Sequence, residues 1–184
     1  MLPHNLNEQF ERIYEKLHYL HVQINQVHSP DLKLISGYCY TGTGPTGASG
    51  RISYTMGLRG PCMTIDTACS SALTCTHVAI QALRNNDCKI AVVGAASIIS
   101  EPAQSLNFCR LGALSPEARC KSFDDAANGY IRSEGVCVMI IKKLEDAQKD
   151  GDNILAIIKG SAVNQDGKSK RLTAPSTAAQ GLMH

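Results

Sequence analysis

Tryptophan is absent from this sequence of 184 residues, and aromatic side chains make up only 5% of it. No apolar run approaches the ~20 residues that a membrane-spanning helix needs. The first residues include Glu8, Glu11 and Arg12 without a continuous apolar segment, which argues against a cleaved signal peptide. We therefore expect no membrane association for this protein.

The sequence also lacks a large excess of charge of either sign, because the formal net charge is only +2. Nucleic-acid binding is not expected at that charge. The one basic cluster, Lys168-Ser169-Lys170-Arg171, is interpreted as a solvated loop rather than a binding patch. With 43% hydrophobic and 18% charged residues, the composition is ordinary for a soluble globular domain.

Cysteine is abundant, with eight residues, but no Cys-x-x-Cys pair is present. Zinc and thioredoxin-type sites therefore have no support, and we expect no metal or cofactor. Cysteines without a spacing framework suggest reduced thiols and a cytoplasmic protein. All but Cys69 lie within or beside apolar or small-residue stretches, which predicts packed core thiols; these are Cys39, Cys62, Cys75, Cys88, Cys109, Cys120 and Cys137.

The N-terminal segment carries apolar side chains at alternating steps of four and three, the a/d spacing of a heptad seam. These side chains are Leu6, Phe10, Ile13, Leu17, Leu20, Ile24 and Val27. The spacing predicts an N-terminal amphipathic helix over residues 5–28, which either forms a short coiled coil or lies on its own domain. We therefore divide the chain into a helical segment, residues 1–30, and a domain, residues 31–184.

Beyond residue 30 the predicted strands and helices alternate, which indicates an α/β layer structure. Strands are predicted over residues 32–40, 61–65, 89–96, 136–141 and 154–163, and helices after Cys69 as far as Asn85, from about Pro102, and over residues 144–149. The strand–helix–strand unit over residues 61–96 implies parallel pairing.

A glycine-rich segment over residues 41–50 contains a formal G-x-G-x-x-G, and Asp66 follows about twenty residues later, as in a dinucleotide-binding unit. Pro45 removes an amide from this possible phosphate cradle, however, and Asp66 belongs to a strand-to-helix junction. We therefore expect no nucleotide binding here.

Cys69 lies at that junction, where the apolar strand over residues 61–65 gives way to a helix. Unpaired amides and the positive end of the helix dipole favour a thiolate there. A close turn would also lift the sulfur out of the sheet toward a substrate. Cys69 is therefore the candidate nucleophile.

The connection from residue 119 to residue 135 contains Asp124, Asp125 and Glu134. These side chains could form paired carboxylates for acid–base chemistry. With no partner evident in the sequence, we interpret them as loop anchors.

The segment Asp66-Thr67-Ala68-Cys69-Ser70-Ser71 resembles the cysteine motif of β-ketoacyl synthases, specifically the ketosynthase domain of modular type I polyketide synthases. Further segments resemble that family in order and approximate spacing over about residues 34–184. They are Gly50-Arg51-Ile52-Ser53-Tyr54, Gly57-Leu58-Arg59-Gly60-Pro61-Cys62, Leu114-Ser115-Pro116, Arg119-Cys120-Lys121-Ser122-Phe123-Asp124, Gly129-Tyr130-Ile131-Arg132-Ser133-Glu134-Gly135, Gly160-Ser161-Ala162-Val163-Asn164-Gln165-Asp166-Gly167 and Leu172-Thr173-Ala174-Pro175-Ser176.

This resemblance implies a partial thiolase-like fold, one half of a layered α/β/α/β/α architecture. It implies that Cys69 receives an acyl chain from the phosphopantetheine arm of an acyl carrier protein. Decarboxylative Claisen condensation with a malonyl-type extender would follow, in polyketide or fatty acid biosynthesis. A thioester on Cys69 would keep the acyl group activated in a ping-pong scheme.

The sequence departs from the family in two respects. Two histidine segments expected further along a ketosynthase are missing, and downstream of Cys69 only His77 and His184 are present. Residues 1–30 do not resemble the start of the family. We therefore interpret the chain as the middle of a condensing domain, incomplete for condensation on its own, whose exposed apolar surface predicts a homodimer or association with the remainder of a synthase.

Two other functions are left open by the sequence. One is a catalytically inactive interaction fragment that binds a synthase partner. The other is a relative of thiolase or chalcone synthase that uses coenzyme A thioesters, against which the segments at residues 164–167 and 172–175 argue.

Overall fold

A four-stranded sheet forms the centre of the protein. The computed structural model describes residues 38, 41–42, 44–99 and 102–181 together with the backbone of residues 16–23. The strands are β1 (Lys16–Gln23), β2 (Cys62–Thr64), β3 (Ile90–Ser97) and β4 (Gly135–Lys142), in the spatial order β2-β1-β3-β4. Strand β1 is parallel to both of its neighbours, whereas β3 and β4 are antiparallel.

The described helices connect or follow these strands. They are α1 (Thr46–Met56), α2 (Ser71–Asn85), α3 (Pro102–Arg110), α4 (Leu144–Asp150) and α5 (Thr177–Gly181), and a short 3₁₀ turn covers Ala68–Ser70. The predictions of β2, β3, β4 and helices α2, α3 and α4 are therefore confirmed. None of the described helices is both long enough and apolar enough to span a bilayer.

The core lies between α2 and the sheet. Helix α2 contributes Cys75, Ala79, Ala82 and Leu83, whose spacing of three and four residues defines one helix face. Their neighbours in the buried cluster are Cys88, just before β3, and Ala91 and Val93 within it. Small side chains dominate this face, so the helix can approach the sheet closely. Burial raises the pKa of the Cys75 thiol, because the thiolate would lose its hydration there.

The helix predicted for residues 5–28 is wrong for Lys16–Gln23, which forms the inner strand β1. The reason is non-local: β1 pairs with β2 on one side and with β3 on the other, so both of its edges are used. Pairing with distant strands outweighs a local heptad pattern of apolar residues. The rest of the predicted helix lies outside the described residues, and the domain boundary at residue 30 stays a prediction.

The strand predicted over residues 154–163 is also wrong, since these residues form neither helix nor strand. A strand needs a hydrogen-bonded partner, and the described strands pair only with one another. Apolar side chains of this segment, including Leu155 and Ile157, are instead exposed. The strand predicted over residues 32–40 lies almost wholly outside the described residues; Tyr38, which is described, is in a turn.

Strand β4 exposes one apolar face. Val136, Val138 and Ile140 alternate along the strand and are 73%, 60% and 72% exposed. Because side chains of a strand alternate between the two faces of a sheet, these three lie on the same face. The expectation of exposed apolar surface is therefore confirmed.

The prediction of packed core thiols holds for only two of the described cysteines. Cys75 and Cys88 are buried, whereas Cys62, Cys109, Cys120 and Cys137 are exposed. The apolar sequence context of these four was misleading because they lie on β2, α3, a loop and β4, at positions that no other described element covers. Cys39 lies outside the described residues.

Candidate functional site

Cys69 lies in the short 3₁₀ turn that links β2 to α2, and its side chain is exposed. This is the junction that the sequence predicts. Ala68, immediately before it, has φ of 56°, in the left-handed region that costs free energy for any residue with a Cβ. The Asp66 carboxylate offsets part of this cost, because its Oδ1 accepts a hydrogen bond of 2.8 Å from the Ala68 amide.

Hydroxyl side chains fix the rest of the turn. Ser71 is fully buried, and its Oγ accepts a hydrogen bond of 2.8 Å from the Thr67 amide and donates one of 2.6 Å to the Ala68 carbonyl. The Thr67 hydroxyl lies 2.9 Å from the Ser70 hydroxyl and 3.1 Å from that of Thr74. These hydrogen bonds involve residues before and after Cys69, so the backbone at Cys69 has few alternative conformations.

The motif around Cys69 thus has two parts. Asp66, Thr67, Ser70 and Ser71 hold the turn, and Cys69 alone presents a reactive group to solvent. The roles of Thr67, Ser70 and Ser71 are not among those predicted from the sequence. Their hydroxyls at the beginning of a helix are a known signal for side-chain bonds to the backbone, and that signal was available in the sequence.

Helix α1 packs against the strand that leads to Cys69. The Thr64 hydroxyl donates a hydrogen bond of 2.9 Å to the Pro45 carbonyl and lies 2.8 Å from the hydroxyl of Ser49, which is buried. The glycine-rich segment therefore supports β2. Gly47 is required there, because a Cβ at this position would lie 2.5 Å from the Thr41 carbonyl oxygen. These contacts, together with the use of Asp66 in the Cys69 turn, favour a structural role for this segment.

His77 does not share the site of Cys69. It lies eight residues further along the chain, which in a helix corresponds to about 12 Å. Its Nδ1 is 2.9 Å from the Ser161 hydroxyl. The structure therefore places His77 as a helix residue that binds the segment after α4. His184 lies outside the described residues.

Two of the three candidate carboxylates anchor loops. Asp124 Oδ1 accepts a hydrogen bond of 2.8 Å from the Ala126 amide, and Glu134 Oε1 accepts one of 2.6 Å from the Ile99 amide just beyond the end of β3. Both contacts fit the interpretation as anchors rather than as an acid–base pair. Within the part of the chain that the structure describes, no three His, Cys, Asp or Glu side chains cluster as they would around a metal ion.

Comparison with known proteins identifies the surroundings of Cys69 as those of a ketosynthase. The family model described as "Beta-ketoacyl synthase, N-terminal domain" matches residues 18–147. One of the phenolphthiocerol/phthiocerol polyketide synthase proteins of Mycobacterium tuberculosis is 47% identical over 146 residues, 79% of this chain and 7% of that protein. Another protein of the same synthase is 48% identical over 79% of this chain and 10% of its own length.

Solved ketosynthases share the fold as well as the sequence. The ketosynthase from module 6 of the bacillaene synthase of Bacillus subtilis 168 matches 91% of this chain and 28% of its own with a TM-score of 0.80 and 40% identity. The oxazolomycin ketosynthase domain KS7 of Streptomyces albus JA3453 matches 91% of this chain and 30% of its own with a TM-score of 0.84 and 32% identity. The chain therefore spans about a third or less of the ketosynthases it matches and a tenth or less of these polyketide synthase proteins.

Proposed function

This chain belongs to the β-ketoacyl synthase family, and on that premise we propose that Cys69 accepts an acyl group from the thioester of an acyl carrier protein. The observation that supports this most strongly is the placement of Cys69. It is an exposed thiol on a turn fixed by its neighbours, directly before the 15-residue helix α2.

The proposed step is a thioester exchange. The Cys69 thiol loses its proton, and the thiolate attacks the thioester carbonyl carbon of the carrier-bound acyl group. A new bond forms between Cys69 Sγ and that carbon, the bond to the carrier sulfur breaks, and the carrier thiol leaves with the proton. The Cys69 amide is the proposed donor to the oxyanion.

Condensation with a malonyl-type extender is proposed for the whole synthase in which such a domain occurs. That step generates an enolate, which needs hydrogen-bond donors positioned beside the acylated cysteine. Among the described side chains, His77 is the only histidine, and it is bound to Ser161. The described residues therefore support the acyl-transfer half of the reaction.

Association with further protein is the second part of the proposal. The exposed apolar face of β4 resembles the inner face of a packed layer more than a surface that remains in water. This face favours either a homodimer or docking onto the remainder of a synthase. It also favours the alternative function, a catalytically inactive fragment that binds a synthase partner.

Acylation can be tested directly on the purified chain. We expect hexanoyl-N-acetylcysteamine to add one acyl group, read by intact mass, and this adduct to be lost in Cys69→Ala. Cys62→Ala is the matched control, because Cys62 is also exposed but lies within β2. Full adduct formation in Cys69→Ala, or no adduct on the unmodified chain between about pH 6 and pH 9, would contradict the proposal and favour the interaction fragment.

A further inference from the structure

Leu73 is an exposed apolar side chain on helix α2. It is 76% exposed, although the same helix buries Cys75, Ala79 and Ala82. At about 100° per residue, Leu73 lies about 160° around the helix from Cys75. It therefore faces away from the core. A single exposed leucine is ordinary on a protein surface, so its position relative to Cys69 decides what it can do.

Leu73 is the neighbour of Cys69 one helical turn along the chain. The 3₁₀ turn Ala68–Ser70 continues directly into α2, and Ser70 has φ of −89° and ψ of −2°, within the helical region. Residues four apart on a helix have Cβ atoms about 5–6 Å from each other. Because helical side chains point back toward the N-terminus, the Leu73 side chain extends toward Cys69.

The same outer face of α2 is covered one turn further along. His77, four residues after Leu73, is only partly exposed, and its Nδ1 is 2.9 Å from the Ser161 hydroxyl. The segment after α4 therefore lies against this part of the face. The first turn of the helix is open, since Cys69 and Leu73 are both exposed there.

The thioester exchange fixes where an acyl chain begins. As the new bond forms, the carbonyl carbon lies at Cys69 Sγ, so the chain starts beside the first turn of α2. An extended chain advances about 1.2 Å per bond. About five carbons therefore suffice to cross the distance of about 5–6 Å to Leu73. An acetyl group is too short to reach this side chain, whereas a hexanoyl group is long enough.

Contact between Leu73 and the acyl chain removes apolar surface of both from water, which lowers the free energy. Because the contact is made while the bond to Cys69 forms, it stabilises the transition state and raises kcat/KM. It involves only the outer carbons of the chain, so it favours long acyl groups over short ones. Contacts made by the carrier arm, in contrast, are the same for every acyl group.

We propose that Leu73 is a specificity-determining residue, whose side chain contacts the acyl chain during transfer to Cys69 and favours apolar chains of about five carbons or more over acetyl. This inference rests on the proposed acyl transfer to Cys69. Leu73 takes no part in the exchange of the carrier sulfur for Cys69 Sγ. It contributes apolar surface beside the reacting thiol.

The test compares acylation by hexanoyl- and acetyl-N-acetylcysteamine, with initial rates read by intact mass. In Leu73→Ala we expect the hexanoyl-to-acetyl rate ratio to fall about fivefold, less than the roughly tenfold or more that an enclosing pocket gives for one methylene. Leu73→Asn should lower the ratio at least as much, and Leu73→Met, which keeps a long apolar side chain, should preserve it. The ratio is the informative quantity, because a loosened Cys69 turn would slow both reactions equally.

Ile140→Ala is the matched control. Ile140 is 72% exposed, but it lies on the opposite face of the sheet from α2, since its neighbour in β4, Ile141, packs against the buried cluster. Its rate ratio should match that of the unmodified chain.

An unchanged ratio in an acylated Leu73→Ala protein overturns the proposal. If Leu73→Asn also converts a dimer to a monomer in sedimentation velocity while the ratio stays unchanged, a second copy of the chain covers this face instead. Absence of adducts on the unmodified chain with both thioesters overturns the acyl transfer itself, and the role of Leu73 with it, so the two failures are distinguishable.

Discussion

Two regions of the protein differ in how completely their apolar side chains are covered. One is the Cys69 turn with α2, and the other is β4 with the segment that follows α4. The first region is closed by contacts among near neighbours: hydroxyls bind the backbone within the turn, and one face of α2 is buried. The second region is also rich in apolar residues but leaves Val138, Ile140 and Leu155 exposed. Apolar content alone therefore does not produce a buried element, because a strand or sheet face also needs a partner to cover it.

The sharpest way to test this comparison is the same substitution in each region. Val93 of β3 is 3% exposed and Val138 of β4 is 60% exposed. We expect Val93→Asp to lower the free energy of unfolding by about 3 kcal/mol or more, because a carboxylate would be buried without a partner. Val138→Asp should change it by less than about 0.5 kcal/mol. Urea unfolding followed by circular dichroism measures both, and equal effects would erase the distinction between the two strands.

Removing one hydroxyl tests the closed region from within. We expect Ser71→Ala to cost about 1–3 kcal/mol of stability, because the Thr67 amide loses its acceptor in the turn. Acylation of Cys69 should slow as the turn loosens. Ser122→Ala, at an exposed serine outside the turn, is the matched control and should be neutral. If Ser71→Ala were as stable and as readily acylated as the control, the hydroxyl network would not be what fixes the turn.

The smallest effect is expected at the end of β4, where Lys142 binds Asp150 and Asp152. Burial lowers the pKa of Lys142, but hydrogen bonds and charge attraction from the two carboxylates outweigh it and raise the pKa above the ordinary lysine value. A raised folded-state pKa contributes stability that is present below the unfolded pKa of about 10.4 and is lost as pH rises through the folded value.

Lys142→Gln should therefore reduce stability slightly at neutral pH and flatten its decline above about pH 10. Thermal unfolding of Lys142→Gln and of Lys143→Gln across that pH range separates the loss of the Lys142 carboxylate contacts from general effects of alkaline pH. Lys143 binds Asn86 rather than a carboxylate, so its replacement should leave the decline unchanged. A decline equally steep in Lys142→Gln would show that the carboxylate contacts carry no net stabilisation.

The features that could be predicted from the sequence are those determined by contacts among near neighbours in the chain. The junction at Cys69, helix α2 and strand β3 were predictable because their signals are local: an apolar strand, hydroxyls at a helix start, and a buried run. The strand β1 was not, since Leu17 and Leu20 also fit a helical repeat and only pairing with β2 and β3 decides between the two. Residues 154–163 have strand composition, but composition does not provide the partner.

The placement of β1 also bears on the order in which the protein folds. Strands β2 and β3 do not pair with each other; each pairs with β1, from which His18 is joined to Cys62 and Lys16 to Ile90. When β1 leaves the ribosome, it therefore cannot find either partner until many more residues have been made. Because contacts between residues so distant in sequence close slowly, we expect formation of the sheet, and with it the setting of Cys69, to be a late step in folding.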